Sequence, residues 1–290
     1  MLSRSALKAT LRCSGLRLSK RLGQNILVDG NVRDRIIEAI ALHPDDVVVE
    51  IGAGTGALTE ALVTAAGRVI AFEVDRGLEP VLREQLAAAS NLEVRCEDFL
   101  KADLVALAEE AGDGLVFVGN LPYSITSPVI ARVLEAGVPY RAAYFTVQRE
   151  VAQRLLAPPG SRDRGSLTFL VEYHTEARRL LAVPRAAFEP VPKVESALLE
   201  LAARAEPAVS PHDPRLMFAV IRAAFGARRK VLKNALRRLE WIALSDDNVA
   251  DAIRECGLAP NCRAEELTLG QFADLGDALG RMRSADRGTG

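Results

Sequence analysis

The chain is poor in cysteine and histidine and has no long apolar run, and each shortage removes a class of function. Its 4 cysteines, Cys13, Cys96, Cys256 and Cys262, lack the paired short spacing of a zinc site and no histidine accompanies them. They read as free thiols in a reducing cytoplasm, and no metal is expected. The 3 histidines, His43, His174 and His212, fall outside the strand-end motifs described below, so chemistry built on an imidazole base has no candidate. No apolar stretch approaches the ~20 residues of a membrane span. Acid is also missing locally. None precedes Asp29, where Arg4, Lys8, Arg12, Arg17, Lys20 and Arg21 stand. None lies between Pro214 and Leu239, where Arg215, Arg222, Arg228, Arg229, Lys230, Lys233, Arg237 and Arg238 stand. The formal net charge of −1 argues against nucleic acid only as a whole-chain sum. Phosphates are read locally, so two basic faces point to RNA, with Arg21, Arg228, Arg229, Lys230 and Lys233 as the expected contacts.

At 290 residues the chain has room for one α/β domain and a smaller second one. Asn120-Leu121-Pro122-Tyr123 directly follows the apolar run Leu115-Val116-Phe117-Val118-Gly119, a buried strand by its pattern. Pro122 cannot donate to a ladder and restricts Leu121 to extended backbone, so the strand must stop there. What leaves the sheet is a stiff loop at the carboxyl end of a strand, where open α/β sheets bind ligands. Asn120 offers a side-chain carbonyl, Leu121 a backbone carbonyl and Tyr123 a flat ring. Two acceptors beside a stacking surface suit an exocyclic amino group on a base.

Upstream, the β-branched run Val47-Val48-Val49-Glu50-Ile51 leads into Gly52-Ala53-Gly54-Thr55-Gly56 and then a helical stretch at 57–66, with Gly67 expected as its C-terminal cap. A strand, a glycine turn and a helix N-terminus make a nucleotide-binding corner, shared by NAD and S-adenosylmethionine enzymes. The next strand ends in Glu73-Val74-Asp75, an acid where a ribose diol would sit. The third, Leu92 to Cys96, leads into Glu97-Asp98-Phe99. A second acid at that strand end suits a nucleoside held by its adenine amino group. A dehydrogenase would need a nicotinamide pocket and a hydride-handling residue, and none is evident. Both signals favour S-adenosylmethionine.

Taken in order, these motifs are joined by Lys20-Arg21-Leu22-Gly23-Gln24-Asn25-Ile26-Leu27, Gln148-Arg149-Glu150-Val151, and Val183-Pro184-x-x-Ala187-Phe188-x-Pro190-x-Pro192-Lys193-Val194-x-Ser196-Ala197. Phe225-Gly226-Ala227-Arg228-Arg229-Lys230 and Arg263-Ala264-Glu265-Glu266-Leu267 complete the set. The chain resembles the KsgA family of ribosomal RNA adenine dimethyltransferases, almost end to end. Many members read Phe at Leu22 and Ile26, Pro at Ala53 and Leu at Thr55, departures that remove no polar contact. The resemblance implies a Rossmann-like S-adenosylmethionine-dependent methyltransferase fold, a mainly parallel seven-stranded sheet with a small C-terminal all-helical domain. It implies a cofactor pocket of Asn25, Leu27, Gly52, Glu73, Asp98 and Asn120, beside the backbone of Gly54. Asn120 and Leu121 would hold the target amino group, and Tyr123 below and Phe188 above would stack the flipped base. The substrate it implies is a pair of adjacent adenosines near the 3′ end of small-subunit (16S) ribosomal RNA, each methylated twice, within a small-subunit precursor. Two other readings stand beside this one, a large-subunit rRNA methylase of the antibiotic-resistance type and a non-catalytic assembly factor on the same fold.

The expected domains are residues 1–207, catalytic, and 208–290, helical and RNA-binding, in a cytoplasmic monomer. The basic, Ser- and Leu-rich start resembles a transit peptide. Leu7, Leu11 and Leu18 nevertheless fall at helical spacing and the segment runs straight into the Gln24-Asn25 motif, so it reads as part of the fold. A helix is expected at 31–42 with Asn31 as N-cap, and a mobile loop at 158–165. Late strands are expected near 172–183 and 193–203. Helices follow at 214–225, 228–239, 246–255 and 269–282, with a disordered tail from 284.

Overall fold

The computed structural model describes residues 1–19, 22–227, 230–236 and 246–287. In chain order the elements are α1 (Arg4–Cys13), β1 (Ile26–Leu27), α2 (Gly30–Ile40), β2 (Val47–Ile51), α3 (Thr59–Ala65), β3 (Arg68–Phe72), α4 (Leu78–Gln85) and β4 (Leu92–Arg95). Then come α5 (Leu104–Ala111), β5 (Leu115–Asn120), α6 (Thr126–Glu135), β6 (Ala142–Gln148), α7 (Arg149–Leu155) and α8 (Ser166–His174). The chain continues through β7 (Thr175–Val183), β8 (Phe188–Glu189), β9 (Ser196–Ala203), α9 (Pro214–Phe225), α10 (Leu232–Leu236), α11 (Asp246–Glu255) and α12 (Leu269–Arg287). Among the described residues no helix is long and apolar enough to cross a membrane.

The chain forms two compact units, residues 1–152 with 176–203, and residues 153–175 with 204–290. The first holds a seven-stranded sheet in the order β4-β3-β2-β5-β6-β9-β7. The ladders from β4 through β6 are parallel, and β9 lies antiparallel to β6. β5 is buried on both faces, with Leu115, Val116 and Phe117 at 0 % exposure, as a near-continuous apolar strand in a covered parallel sheet should be. The order reverses between β2 and β5. The carboxyl ends of adjacent strands therefore diverge there, opening the crevice in which such sheets bind ligands.

Several expectations shift locally. α2 is capped by Asp29, whose side chain accepts from the Val32 N–H, and not by Asn31, because Gly30 and Asn31 already lie within the helix. α3 ends at an extended Ala66, and Gly67 is not its cap. Gly67 is instead required by a close approach, since a Cβ there would meet the Pro44 carbonyl oxygen at 2.6 Å. Leu7 and Leu11 are buried on α1, whereas Leu18 lies beyond that helix yet packs on the same cluster.

Among its described residues the regular structure of the second unit is helical apart from the start of β7, and the unit includes more chain than expected. α8 occupies residues read in part as strand, and Phe169 and Tyr173 bury its apolar face in one core with residues of α9, α11 and α12. That packing takes residues 153–175 into the second unit and moves its later boundary to 204. The loop at 158–165 is pinned, not loose. Gly160 N–H donates to the Glu265 carbonyl (3.0 Å). Arg164, 1 % exposed, donates to the Leu267 carbonyl (2.7 Å), pairs with Glu172 and lies over the Phe169 ring at 4.0 Å. α12 runs on through the residues expected to begin a disordered tail.

Candidate active site

The crevice at the carboxyl ends of β2, β3, β4 and β5 is lined by the residues that the strand-end motifs nominate. Gly52 and Gly54 turn the chain away from β2 in the left-handed region, at φ +77° and +60°. At Gly54 an added Cβ would stand 2.9 Å from Ile26 Cδ1, so the loop presents bare backbone to the cleft. Three of its N–H groups are already engaged within the protein. Those of Gly52 and Ala53 donate to the Phe72 carbonyl at 2.9 and 3.0 Å, and that of Gly54 donates to Glu73 Oε2 at 2.7 Å. These three amides are not left as a cradle for a pyrophosphate, which weighs against a dinucleotide.

The charge of the cleft points the same way. Among its described lining residues are the carboxylates Glu50, Glu73, Glu97 and Asp98, and no lysine, arginine or histidine. Glu73 is 5 % exposed and also accepts from the Asp75 N–H at 2.8 Å. Burial raises its pKa, opposed by these backbone donors. Asp98 caps the turn after β4 through the Leu100 N–H (3.0 Å), which fixes its carboxylate at the cleft. Asn25 donates to the Gly23 carbonyl (3.0 Å), and Gln24 reaches Asp75 (2.8 Å), so the segment before β1 is tied to the far side of the cleft. Leu27, in β1, pairs with Phe188 in β8. Glycine-loop backbone, buried acids and the absence of a balancing cation among the described lining residues together suit a nucleoside cofactor carrying positive charge.

Asn120 ends β5 opposite Thr146. Its Nδ2 donates to the Asn25 carbonyl at 2.8 Å. A carbonyl oxygen only accepts, so the amide can face Asn25 only through its nitrogen. Asn120 Oδ1 is thereby left as an acceptor with no partner among the described residues. The Leu121 N–H donates to the Thr146 carbonyl (3.1 Å), while the Leu121 carbonyl is unbonded among the described residues. Both residues line the cleft with Tyr123, whose hydroxyl bonds the buried Ser196 at 3.0 Å and whose side chain is partly exposed. Burial raises the Tyr123 pKa, so the phenol stays neutral.

Phe188 corrects the expectation. It is 1 % exposed, packed in the core with Leu27, Val32 and Ile36, and does not line the cleft. Paired to β1 opposite Leu27, it sits in the core and anchors the proline-rich loop. Lys230 and Lys233 lie in the second unit, exposed and partly exposed. Arg21, Arg228 and Arg229 lie outside the described residues.

The residue overlooked in the sequence is Glu50. It lines the cleft at 2 % exposure, with Oε2 unpartnered among the described residues. Burial pushes its carboxyl up to about 7, with a smaller opposing pull from the neighbouring Thr59 hydroxyl and a further push from the Glu73 charge. Its signal was an acid inside an otherwise β-branched buried strand.

Comparison with known proteins agrees with this geometry. The family model described as ribosomal RNA adenine dimethylase matches residues 15–279. Ribosomal RNA small subunit methyltransferase A of Geobacillus thermodenitrificans (strain NG80-2) is 42 % identical over 277 residues, covering 94 % of each chain. The crystal structure of 23S rRNA methyltransferase ErmE superposes with a TM-score of 0.65 at 30 % identity, covering 88 % of this chain and 100 % of that one. A dimethyladenosine transferase from Plasmodium falciparum shares the fold, with a TM-score of 0.69 at 24 % identity over 86 % of this chain and 95 % of that one. With a family model matched over residues 15–279 and a relative 42 % identical over 94 % of the chain, the chain belongs to the ribosomal RNA adenine dimethylase family.

Proposed function

We propose that the protein transfers methyl groups from S-adenosylmethionine to N6 of two adjacent adenosines near the 3′ end of small-subunit ribosomal RNA, giving N6,N6-dimethyladenosine. The observation that carries this reading is the Asn120 amide. Its nitrogen is committed to the Asn25 carbonyl, which leaves its oxygen as an acceptor in a cleft that Leu121 also lines. Glu73, Asp98, Asn25, Leu27 and the backbone of Gly52 and Gly54 would hold the cofactor. When bound, the cofactor supplies an electrophilic methyl on a positively charged sulfur.

The protein's work is then positioning. The lone pair of an adenine amino group is delocalised into the ring and attacks poorly. Acceptors at Asn120 Oδ1 and the Leu121 carbonyl take its two N–H groups and favour a pyramidal nitrogen with its lone pair free, a preference strongest as the bond forms. Holding the nitrogen in line replaces a bimolecular encounter with an oriented one. No covalent enzyme intermediate is required. The proton lost as nitrogen returns to planarity is acidic and passes to water. To reach this depth the base must leave its stack, and the Tyr123 ring receives it at roughly 1–3 kcal/mol per stacked face.

Lys230 and Lys233, with Arg228, Arg229 and Arg21, are proposed as phosphate contacts that place the RNA. The small subunit is favoured over the large by 42 % identity to a small-subunit enzyme against 30 % to a 23S rRNA enzyme. The protein would act on the subunit precursor as a monomer. The test is incubation with methyl-labelled S-adenosylmethionine and immature small or large subunits, followed by nuclease digestion and mapping. Label in dimethyladenosine of small-subunit RNA supports the reading. Label in large-subunit RNA transfers it to the alternative substrate.

A further inference from the structure

We infer that Val191 and Val194 form an apolar wedge that fills the place left by the flipped adenosine and keeps the flanking RNA bases apart. This rests on the substrate reading above and adds to it two residues that the cleft itself does not contain.

Large apolar side chains exposed to solvent are few. Among the described residues they are Val74, Val105, Val191 and Val194, and the last two stand in one short loop. Val191 is 46 % exposed and Val194 43 %, with Pro190 exposed beside them. Single exposed valines are ordinary, whereas apolar groups gathered on one loop mark a contact surface. The loop is also held stiff. Pro190 and Pro192 fix two of its φ angles, and Pro192 is buried. At one end Glu189 pairs with Lys8 at 3.2 Å and with Arg4 at 3.5 Å. At the other, the Glu195 carbonyl accepts from the Arg149 N–H at 2.9 Å, and its carboxylate accepts from the Arg185 N–H at 2.7 Å. A loop pinned at both ends loses little freedom when something covers its valines.

The position of the loop selects the occupant. It runs into Ser196, whose hydroxyl bonds that of Tyr123 at 3.0 Å. Val194 is two residues before Ser196, so the two Cα atoms lie within about 7 Å of each other. Neither valine lines the crevice. They stand outside it, next to the ring proposed to receive the base. Arg149, Arg185 and Lys193 are exposed there, with Glu150 and Glu195 as the acids at hand. That excess of positive charge suits a polyanion better than an apolar protein surface. A base that leaves its stack uncovers the faces of its neighbours, and their closing together opposes extrusion. An apolar side chain inserted at the open step covers those faces without reading sequence. Valine, stiff at χ1, is ordered before it binds.

The experiment is single-turnover methylation of immature small subunits by the full chain carrying Val191→Ser and Val194→Ser together. Both side chains are exposed, so melting should be unchanged. The expected kcat/KM is about 10-fold below wild type, a loss of apolar burial at two side chains. Affinity for S-adenosylmethionine and the salt dependence of subunit binding should not change, since valine displaces no counterions. Val191→Ile with Val194→Ile keeps the apolar tips and should hold the rate within about 2-fold of wild type. The serine variant is then compared with wild type on subunits reconstituted with 16S rRNA whose ligated synthetic 3′ segment carries an abasic residue beside the target pair. An abasic neighbour has no face to cover, so the gap between the two proteins should close to within about 2-fold. Closure with the abasic residue on the 5′ or the 3′ side supports the inference and assigns the side. A gap that persists on both abasic subunits overturns it, whether it arises from lost folding or from a contact elsewhere. Equal rates of wild type and serine variant on natural subunits overturn it with the substrate reading intact. Absence of methylation of small subunits by the wild type overturns both.

Discussion

Gly119 separates the geometry of the site from the stability of the fold, because it does not line the cleft yet joins the two strand ends that build it. A methyl at this position would stand 2.9 Å from the Ile51 carbonyl oxygen and 2.9 Å from Leu121 Cδ2. The first contact is with backbone and cannot be relieved by a rotamer change. In Gly119→Ala the end of β2 must therefore retreat from β5, and Ile51 carries Gly52 with it while Leu121 carries the proposed acceptor. Overpacking of this kind costs about 1–3 kcal/mol, a loss of several degrees in melting temperature for a chain of this size. A shift of about 1 Å between cofactor and acceptor halves is expected to slow transfer by about 100-fold. The control is Gly137→Ala. Gly137 has φ +67° with nothing within 4 Å of an added Cβ, so it loses about 1–2 kcal/mol through backbone strain alone. Thermal melting and single-turnover methylation of subunits are the assays. Comparable melting losses with a large rate loss confined to Gly119→Ala are expected. Equal rates in the two variants would refute the claim that the spacing of β2 and β5 sets the reaction geometry.

Glu50 makes the ligand-free protein pH-sensitive. Its folded pKa is raised, so the unfolded chain loses that proton first and stability falls as pH rises from about 4.5 to about 7. Glu50→Gln removes this penalty, and its stability should gain on wild type across that window, by up to about 3 kcal/mol above it, read by thermal melting at each pH. An unchanging difference between pH 5 and 8 would contradict this. Tyr123→Phe keeps the ring and loses only the Ser196 bond, so its rate should stay within a few-fold of wild type, whereas Tyr123→Ala should lose about 1–3 kcal/mol of transition-state stabilisation. Steady-state kcat/KM on immature subunits measures both. Arg164→Ala should destabilise the helical unit by about 2–5 kcal/mol, since the buried stem, the Leu267 bond and the Phe169 contact go together. Hydrogen exchange should show the loss in α8 and α12, with the amides of β2 and β5 unchanged.

The sheet was legible because its strands are written in uninterrupted apolar runs. β2 spans the residues its β-branched run marked, and β5 runs one residue further, to Asn120, before Pro122 ends it. The acids at the ends of β3 and β4 and the Asn120 loop were legible because chemistry at strand ends follows from topology alone. What stayed hidden depends on packing between distant segments. Both Asp29 and Asn31 can cap a helix, and the choice falls to where Gly30 starts the turn. α8 reads in part as strand from sequence because its apolar face shows only when α9 and α12 cover it. Phe188 sits in a motif that suggests exposure, yet its register against Leu27 turns it into the core. Glu50 looked like one polar residue in a strand, and only the structure shows that its Oε2 is buried at the cleft without a partner among the described residues.

The central claim is that Asn120 holds the reacting nitrogen through an oxygen set in place by the Asn25 carbonyl. Single-turnover methylation of immature small subunits by Asn120→Ala, with products separated into mono- and dimethyladenosine, tests it most directly. Both transfers should slow by about 100-fold or more while cofactor affinity changes far less. Asn120→Asp should also be slow, because a carboxylate cannot donate to Asn25 and is repelled by it. Near-normal rates for both transfers in Asn120→Ala would contradict the account.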